Sequence, residues 1–241
     1  MRKHQNLEQI IGSIESAPAA TAFQRKQWDQ IVAHIKDQRS AILQFVLIPA
    51  TSNMKDGFGD QSKLFPPPSS GSGSHDAVSL AITLQYRVAR GHVHITSADP
   101  TASPAVHPNY AGHAADAALL SAGLKFAEKL VAAPSLRGKM GPRLHPEPGR
   151  FPLASPADHR AAAAEYVGGQ YHSCGTCAMG ETVDARLRVR GVPNLHVVDA
   201  SVFANNVSGN IVSSVYMIAE RAADLIKEDW DWAALGLAHA K

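Results

Sequence analysis

The chain has 241 residues and a formal net charge of +2, long enough to bury a sizeable core as one large or two small domains. So small a charge leaves no electrostatic footprint for a nucleic-acid partner, and no basic stripe is interleaved with aromatics. No apolar run is long enough to span a bilayer. Arg2 and Lys3 have no apolar core behind them, so the start is not patterned as a signal peptide, and the compartment stays open.

Residues 1 to about 38 read as helical. Leu7, Ile10, Ile11 and Ile14 follow a three-four spacing, and Phe23, Trp28 and Ile31 begin a second apolar stripe after the Ala-rich turn at 17–21. Core packing is the reading for both stripes. Ile42 to Ile48 is a dense apolar strand that Pro49 ends. From Ala50 to Asp76 periodicity disappears, and Pro66-Pro67-Pro68 runs into the Gly/Ser stretch 69–74. This segment is a disordered linker or a long loop over a pocket. Gly71 to His75 lacks a feeding strand and a following helix, so it is neither a nucleophile elbow nor a phosphate loop.

Val78, Leu80, Ile82, Leu84, Tyr86 and Val88 alternate as in a half-buried antiparallel strand. Ala89-Arg90-Gly91 is expected to turn the chain, with Val93 and Ile95 in the partner strand. His92 and His94 share one face, but no third ligand is evident, so the reading is a strand face and no metal. Tyr86, His92 and His94, together with the loop 50–76, are placed to shape a pocket. Pro104 to Tyr110 reads as irregular. Leu120, Leu124, Ala127 and Val131 mark an amphipathic helix, and Arg137 to Leu153 reads as loop. Ser155-Pro156-Ala157-Asp158 is a helix start, with an N-cap serine, a proline in the first turn and an acid three residues on.

That helix leads to Tyr171-His172-Ser173-Cys174-Gly175-Thr176-Cys177-Ala178-Met179-Gly180. The Cys-x-x-C pair lacks the further ligands of a zinc site and the βαβ context of a redox dithiol, so the two cysteines are read as packed turn residues. Val183 to Val189 alternates like a strand. Leu195 to Ser201 is a short apolar strand ending Asp199-Ala200-Ser201, and Ser208-Gly209-Asn210 opens a long amphipathic helix, Ile211 to Lys227. Tyr216, Met217, Ala219, Ala223 and Ile226 are taken as its packed stripe. Asn206-Val207-Ser208 is formally a glycosylation sequon, but its place inside this segment argues for burial.

The run from Tyr171 to Gly180, followed by Leu-Arg-Val-x-Gly-Val-x-Asn-Leu and Val-Val-Asp-Ala-Ser, resembles the C-terminal signature of the glucose-methanol-choline (GMC) flavoprotein oxidoreductases. Arg90 to Pro100 resembles the family's substrate-domain hairpin, and His107-Pro108-Asn109-Tyr110 sits where the family has Pro-Asn-Tyr. The resemblance implies an α+β fold, a mostly antiparallel sheet covered by helices, whose C-terminal strand–helix segment belongs to a flavin-domain layer. It divides the chain into a substrate-binding domain at 1–165 and a segment at 166–241 that carries the catalytic histidine and the return to the flavin domain.

The same resemblance makes His172 the base that takes the proton of an alcohol substrate while hydride passes to FAD. It gives Asn210 the second active-site position, where its amide donates to the substrate oxygen. It sets Asn210, Ile211 and Val212 beside the flavin ring, at a helix start suited to negative charge, and Asp199 and Ala200 beside the cofactor's polar chain. The family's strand–Gly-x-Gly-x-x-Gly–helix unit does not occur in this sequence, so tight FAD binding by the chain alone is not expected. An apolar face around Val197, Val198 and the last helix is expected to be exposed, or covered by a separate FAD-binding chain or a second copy. Three functions stay open: the C-terminal part of an FAD-dependent alcohol oxidoreductase, a flavin-free acid/base enzyme reusing the pocket, or an inert remnant or binding module.

Overall fold

The computed structural model describes residues 2–65 and 77–230. Its elements are α1 (Arg2–Glu15), α2 (Ala22–Lys36), β1 (Leu43–Ile48), the single turn α3 (Met54–Gly57), β2 (Ser79–Leu84), β3 (His92–His94), β4 (Ala105–His107), α4 (Ala114–Val131), α5 (Pro156–Tyr166) and α6 (Val212–Asp229), with 3-10 turns at Gln61–Lys63 and Ala200–Val202. They form two compact units. One comprises the chain through Ala19 and from Trp28 to Gln170. The other joins Ala20–Gln27 to the chain from Tyr171 onward.

The first unit is α+β, with its main core between α1, α2, α4 and the chain around β2. Ile11, Ile14, Trp28, Ile31, Val32, Ile35, Leu84, Tyr86, Val88, Ala115 and Leu119 are buried together. The helical spacing of the first two stripes is therefore core spacing for Ile11, Ile14, Trp28 and Ile31. Tyr86 is part of this core, stacked on His34 with centroids 4.1 Å apart, and does not stand on a pocket-lining face. β1 and β2 pair antiparallel from Leu43↔Leu84 to Ile48↔Ser79.

α4 lies against this pair at Gly123, where a Cβ would come within 2.6 Å of Ile82 Cγ2, so the helix approaches only because the position has no side chain. The fully buried residues of α4 are Ala115, Asp116, Leu119 and Gly123; of the expected Leu120–Leu124–Ala127–Val131 stripe, Leu120 and Leu124 pack partly buried against the cores, while Val131 is exposed. The carboxylate of Asp116, 2 % exposed, accepts from Val88 N–H at 2.9 Å and Ala89 N–H at 2.8 Å. It pins the start of α4 to the chain after β2, and burial holds its carboxyl above the usual range against the pull of those two donors.

Two expectations need correction here. β3 does not pair with β2. It pairs with β4, through His92↔His107, Val93↔Val106 and His94↔Ala105, in a separate two-stranded ribbon. The segment read as irregular thus contains a strand, but three residues are too few to show alternation. The residues 50–65 are not featureless either. Asn53 caps α3 by accepting from Asp56 N–H, Asp60 caps the following 3-10 turn, Leu64 is buried, and Lys55 pairs with Glu165 at 3.1 Å. The Pro/Gly/Ser stretch 66–76 lies outside the described residues.

α5 begins as its sequence implies. Ser155 accepts from Asp158 N–H, the Asp158 carboxylate accepts from Ser155 N–H, and Pro156 occupies the first turn. Its His159, almost buried, bridges α5 to α4 by contacting Ser155 O at 2.8 Å and the Glu128 carboxylate at 2.7 Å.

The second unit has its own core of Val183, Leu187, Val202 and Ala222, with Met179, Val189, Val197, Val198, Phe203 and Ile218 packed against it. Val197 and Val198 are therefore partly covered within the unit, unlike the exposed face expected of them. The two strand-like runs are not strands. Val183↔Val189 and Arg188↔His196 are isolated bridges, because Leu187 at φ 64°, Gly191 at 76° and Asn194 at 63° bend the chain into consecutive turns.

α6 closes the core through Ile218 and Ala222, and Leu225 and the N-cap Ile211, on the same helical face, are also buried. Its opposite face carries Val212, Tyr216 and Met217, 60 %, 69 % and 63 % exposed, with exposed Ala219 and Ala223 following on. The expected packed stripe is thus the outward one, and α6 is apolar on both sides.

Candidate functional site

The site residues named from sequence all lie in the second unit. His172 arrives one residue after Tyr171, whose φ of 59° is left-handed, a conformation costing a non-glycine residue roughly 1–2 kcal/mol. The chain then turns at Gly175, φ 95°, where glycine meets no Cβ penalty. Next it runs alongside residues 201–206. Cys177 N–H donates to Ser201 O at 3.0 Å and Met179 N–H to Val202 O at 2.8 Å. The Cys174 thiol donates to Asn206 Oδ1 at 3.8 Å. The histidine stretch is thereby fixed to the chain between Asp199 and Asn210, two segments that the sequence separates. Neither cysteine forms a disulfide, and both are half-buried.

His172 itself is half-buried, and its Nε2 is shut off from solvent without a hydrogen-bond partner. A buried polar atom left unpaired costs about 1–3 kcal/mol, and in a folded protein it calls for an explanation such as a catalytic role or an absent ligand. An imidazole nitrogen held in this way can accept a proton from a hydroxyl placed against it.

Asp199 is exposed and caps the 3-10 turn, its Oδ1 accepting from Ser201 N–H at 2.7 Å. Ala200 is the first residue of that turn. Ser201 has a buried, unpartnered Oγ. Neither feature was read from sequence, where only the Asp-Ala-Ser wording stood out.

Asn210 is exposed and precedes α6, but it is not the helix cap. The N-cap position is Ile211, whose backbone is already right-handed helical, and no side chain caps the helix. Without a Ser or Asn side chain folded onto them, the first N–H groups of α6 keep their positive dipole end open. The Ile211 side chain is buried, so only its backbone is available to a ligand, whereas Val212 stands exposed. No hydrogen bond joins His172 to Asn210 among the described residues. One hollow of this unit is lined by Asp184, Arg188, Val189 and the chain from Arg190 to Asn194, and it takes in neither His172 nor Asn210.

Two supports escaped sequence reading. Gln27, read only as part of an amphipathic helix, is buried and donates through Nε2 to Ala204 O, while Asn205 Nδ2 donates back to Gln27 O at 3.2 Å. Phe23 packs beside Gly180. No local pattern marks a glutamine that works 177 residues away. At the far end, Arg186 donates to Leu225 O at 3.0 Å and pairs with Glu228 and Asp229, capping the last turn of α6. Asp184, bonded to Arg188 through backbone and side chain, has its carboxyl lowered to about 2.

A family model described as GMC oxidoreductase matches residues 88–219. The dehydrogenase mpl7 of Monascus purpureus is 36 % identical over 208 residues, covering 86 % of this chain and 33 % of that protein. The ecdysone oxidase of Spodoptera littoralis is 33 % identical over 215 residues, covering 84 % and 36 % respectively. Among solved structures, an FAD-dependent oxidoreductase from Chaetomium thermophilum superposes with a TM-score of 0.71 at 20 % identity, over 95 % of this chain and 37 % of that one, a likeness of fold. The chain spans about a third of the length of the curated relatives it matches.

Proposed function

The chain belongs to the GMC oxidoreductase family, and from that premise we propose that it is the C-terminal portion of an FAD-dependent oxidoreductase acting on an alcohol, competent when joined to an FAD-binding portion. The observation that carries the reading is the buried, unpartnered Nε2 of His172, held beside the segment that leads to the uncapped start of α6.

The residues present fit the cofactor in part. The uncapped start of α6, together with Asn210 and Ile211 leading into it and Val212 as its first residue, would suit the negative charge that a reduced flavin carries on its pyrimidine side. Asp199 retains an exposed carboxylate beside Ala200 for the cofactor's polar chain. The phosphates would be held by the FAD-binding portion. FAD, when bound, would supply the acceptor for the hydride of the carbinol carbon. His172 accepts the hydroxyl proton at Nε2, so that the alcohol leaves as its carbonyl, and proton and hydride are both accounted for. Asn210 donates its amide N–H to the substrate oxygen and holds it in line without competing for the proton. The exposed stripe of α6, Val212, Tyr216, Met217, Ala219 and Ala223, is the surface that the FAD-binding portion covers, since an apolar stripe this long is costly to leave in water.

The test is spectroscopic. Purified alone, the chain is expected to be colourless. Mixed with FAD and the FAD-binding segment of a family member such as the Monascus dehydrogenase, it is expected to acquire flavin absorbance that an alcohol bleaches in the absence of oxygen. A yellow chain without the segment would contradict the division of labour. Turnover of an alcohol with no flavin present would contradict the redox reading.

A further inference from the structure

A second imidazole of the same unit holds an orphaned nitrogen. The backbone of His196 bridges to Arg188, its side chain is 13 % exposed, and its Nε2 is closed to solvent without a hydrogen-bond partner. Asp229, the last residue of α6, sets its Oδ2 3.6 Å from that nitrogen, just beyond hydrogen-bonding reach. The other oxygen of the carboxylate is taken, because Oδ1 accepts from Arg186 Nε at 2.8 Å and pairs with Nη2 at 2.6 Å. Arg186 above all holds the Asp229 carboxyl below its ordinary value, so the group facing the imidazole is a carboxylate throughout the range in which histidines change charge.

The charged groups around this pair are matched. Arg186 also meets Glu228 at 3.1 Å, Arg221 meets Glu228 at 3.5 Å, and Arg188 pairs with Asp184 at 2.9 Å. Every guanidinium of the group thus has a carboxylate, while Asp229 Oδ2 pairs, among the described residues, only with the imidazole. The last turn of α6 is in addition the negative end of a helix dipole, where a cation is favoured, most of all when partly buried. A neutral imidazole that turns its lone pair towards Oδ2 gains nothing there, and an imidazolium gains both the carboxylate and the helix end.

We propose that His196 and Asp229 form a pH-sensitive clasp, which fastens the last turn of α6 to the turning run 183–196 when the imidazole is protonated and slackens when it is neutral. On taking a proton from solvent, Nε2 closes on Oδ2 from 3.6 Å to the roughly 2.8 Å of a charge-assisted hydrogen bond. An imidazole that gains a carboxylate on folding stabilises at acid pH, and that contribution is lost as pH rises through its titration. Arg186 keeps its hold on Asp229 and on Leu225 O at every pH, so the change is a local loosening of the helix end. The clasp stands apart from the chemistry proposed for His172, and its test needs neither flavin nor turnover.

The readout is amide hydrogen exchange of the intact chain, followed by NMR at about pH 5.5 and about pH 8.5 and corrected for the intrinsic rate at each. The Leu225–Asp229 amides are compared with the Val215–Ala219 amides of the same helix, which cancels any change in global stability. In the native chain the protection of the last turn relative to mid-helix is expected to fall by about tenfold from the lower to the higher pH. In His196→Gln, whose side chain never charges, the ratio is expected to stay within about twofold, and His196→Asn serves if the glutamine variant does not fold. A native ratio that is the same at both pH values would overturn the proposal by itself. So would a fall of native size in the variants, which would assign the effect to another titrating group of the unit, such as His172.

Discussion

Replacing Asp116 measures how firmly the first unit is locked together. The carboxylate is buried and accepts two backbone N–H groups, at 2.9 and 2.8 Å. In Asp116→Ala both donors lose their acceptor in a site closed to water. Each orphan costs about 1–3 kcal/mol, partly offset because the variant no longer buries a carboxylate. A net loss of about 2–4 kcal/mol is expected, and Asp116→Asn, which keeps one acceptor oxygen, is expected to lose about half as much.

Burial raises the Asp116 carboxyl above its ordinary value, so the folded state holds a proton that the unfolded chain has already released. The contribution of this group is therefore fully present below the ordinary carboxylate pKa of 3.8 and lost as pH rises through the raised folded value. Asp116→Asn removes that dependence. Urea unfolding read at two wavelengths, across the acid to neutral range, reports both effects as a shift in midpoint at constant slope. An alanine variant within about 0.5 kcal/mol of the native chain would refute the idea that this carboxylate pins α4.

Asp184 acts with the opposite sign. Its carboxyl is lowered from 3.8 to about 2, so its contribution is present above 3.8 and lost as pH falls towards 2, and Asp184→Asn should flatten that part of an acid-unfolding curve. Gly123→Ala gains up to about 1 kcal/mol of helix propensity but sets a Cβ 2.6 Å from Ile82 Cγ2. Overpacking against a stiff β-branched side chain should win, lowering stability by about 1–2 kcal/mol in thermal unfolding. Tyr216→Ser with Met217→Ser should leave the stability of the isolated chain within about 0.5 kcal/mol, since both side chains are exposed. The pair should weaken association with an FAD-binding segment by about tenfold or more in a titration. Equal affinity would show that the outward face of α6 is not the docking surface.

Much of the scaffold could be read from local pattern because local physics decides it. The capping box at Ser155 and Asp158 and the first two helical stripes follow from nearest neighbours along the chain. Where the reading failed, the deciding interaction was distant or conformational. Alternation in Val183–Val189 looked like a strand, but Leu187 in the left-handed region folds the run back, so that Arg188 N–H reaches Asp184. α6 is apolar on two faces, and periodicity reveals a stripe without saying which stripe meets the core of this chain. Around the site, the wording of 171–180 and 196–212 singled out His172 and Asn210, and the pairing of 174–179 with 201–206 explains how the first is anchored beside the path to the second. The roles of Gln27 and of the buried Ser201 hydroxyl depend on contacts that no local spacing encodes.

The account turns on the Nε2 atom of His172 as a proton acceptor, and the most direct measurement is the rate of anaerobic flavin bleaching by an alcohol in the complemented protein, native against His172→Gln. Glutamine fills much of the same space but cannot take up the proton, so the rate should fall by roughly 10²–10⁴ with flavin absorbance retained. A variant that binds flavin and bleaches it at the native rate would contradict the assignment.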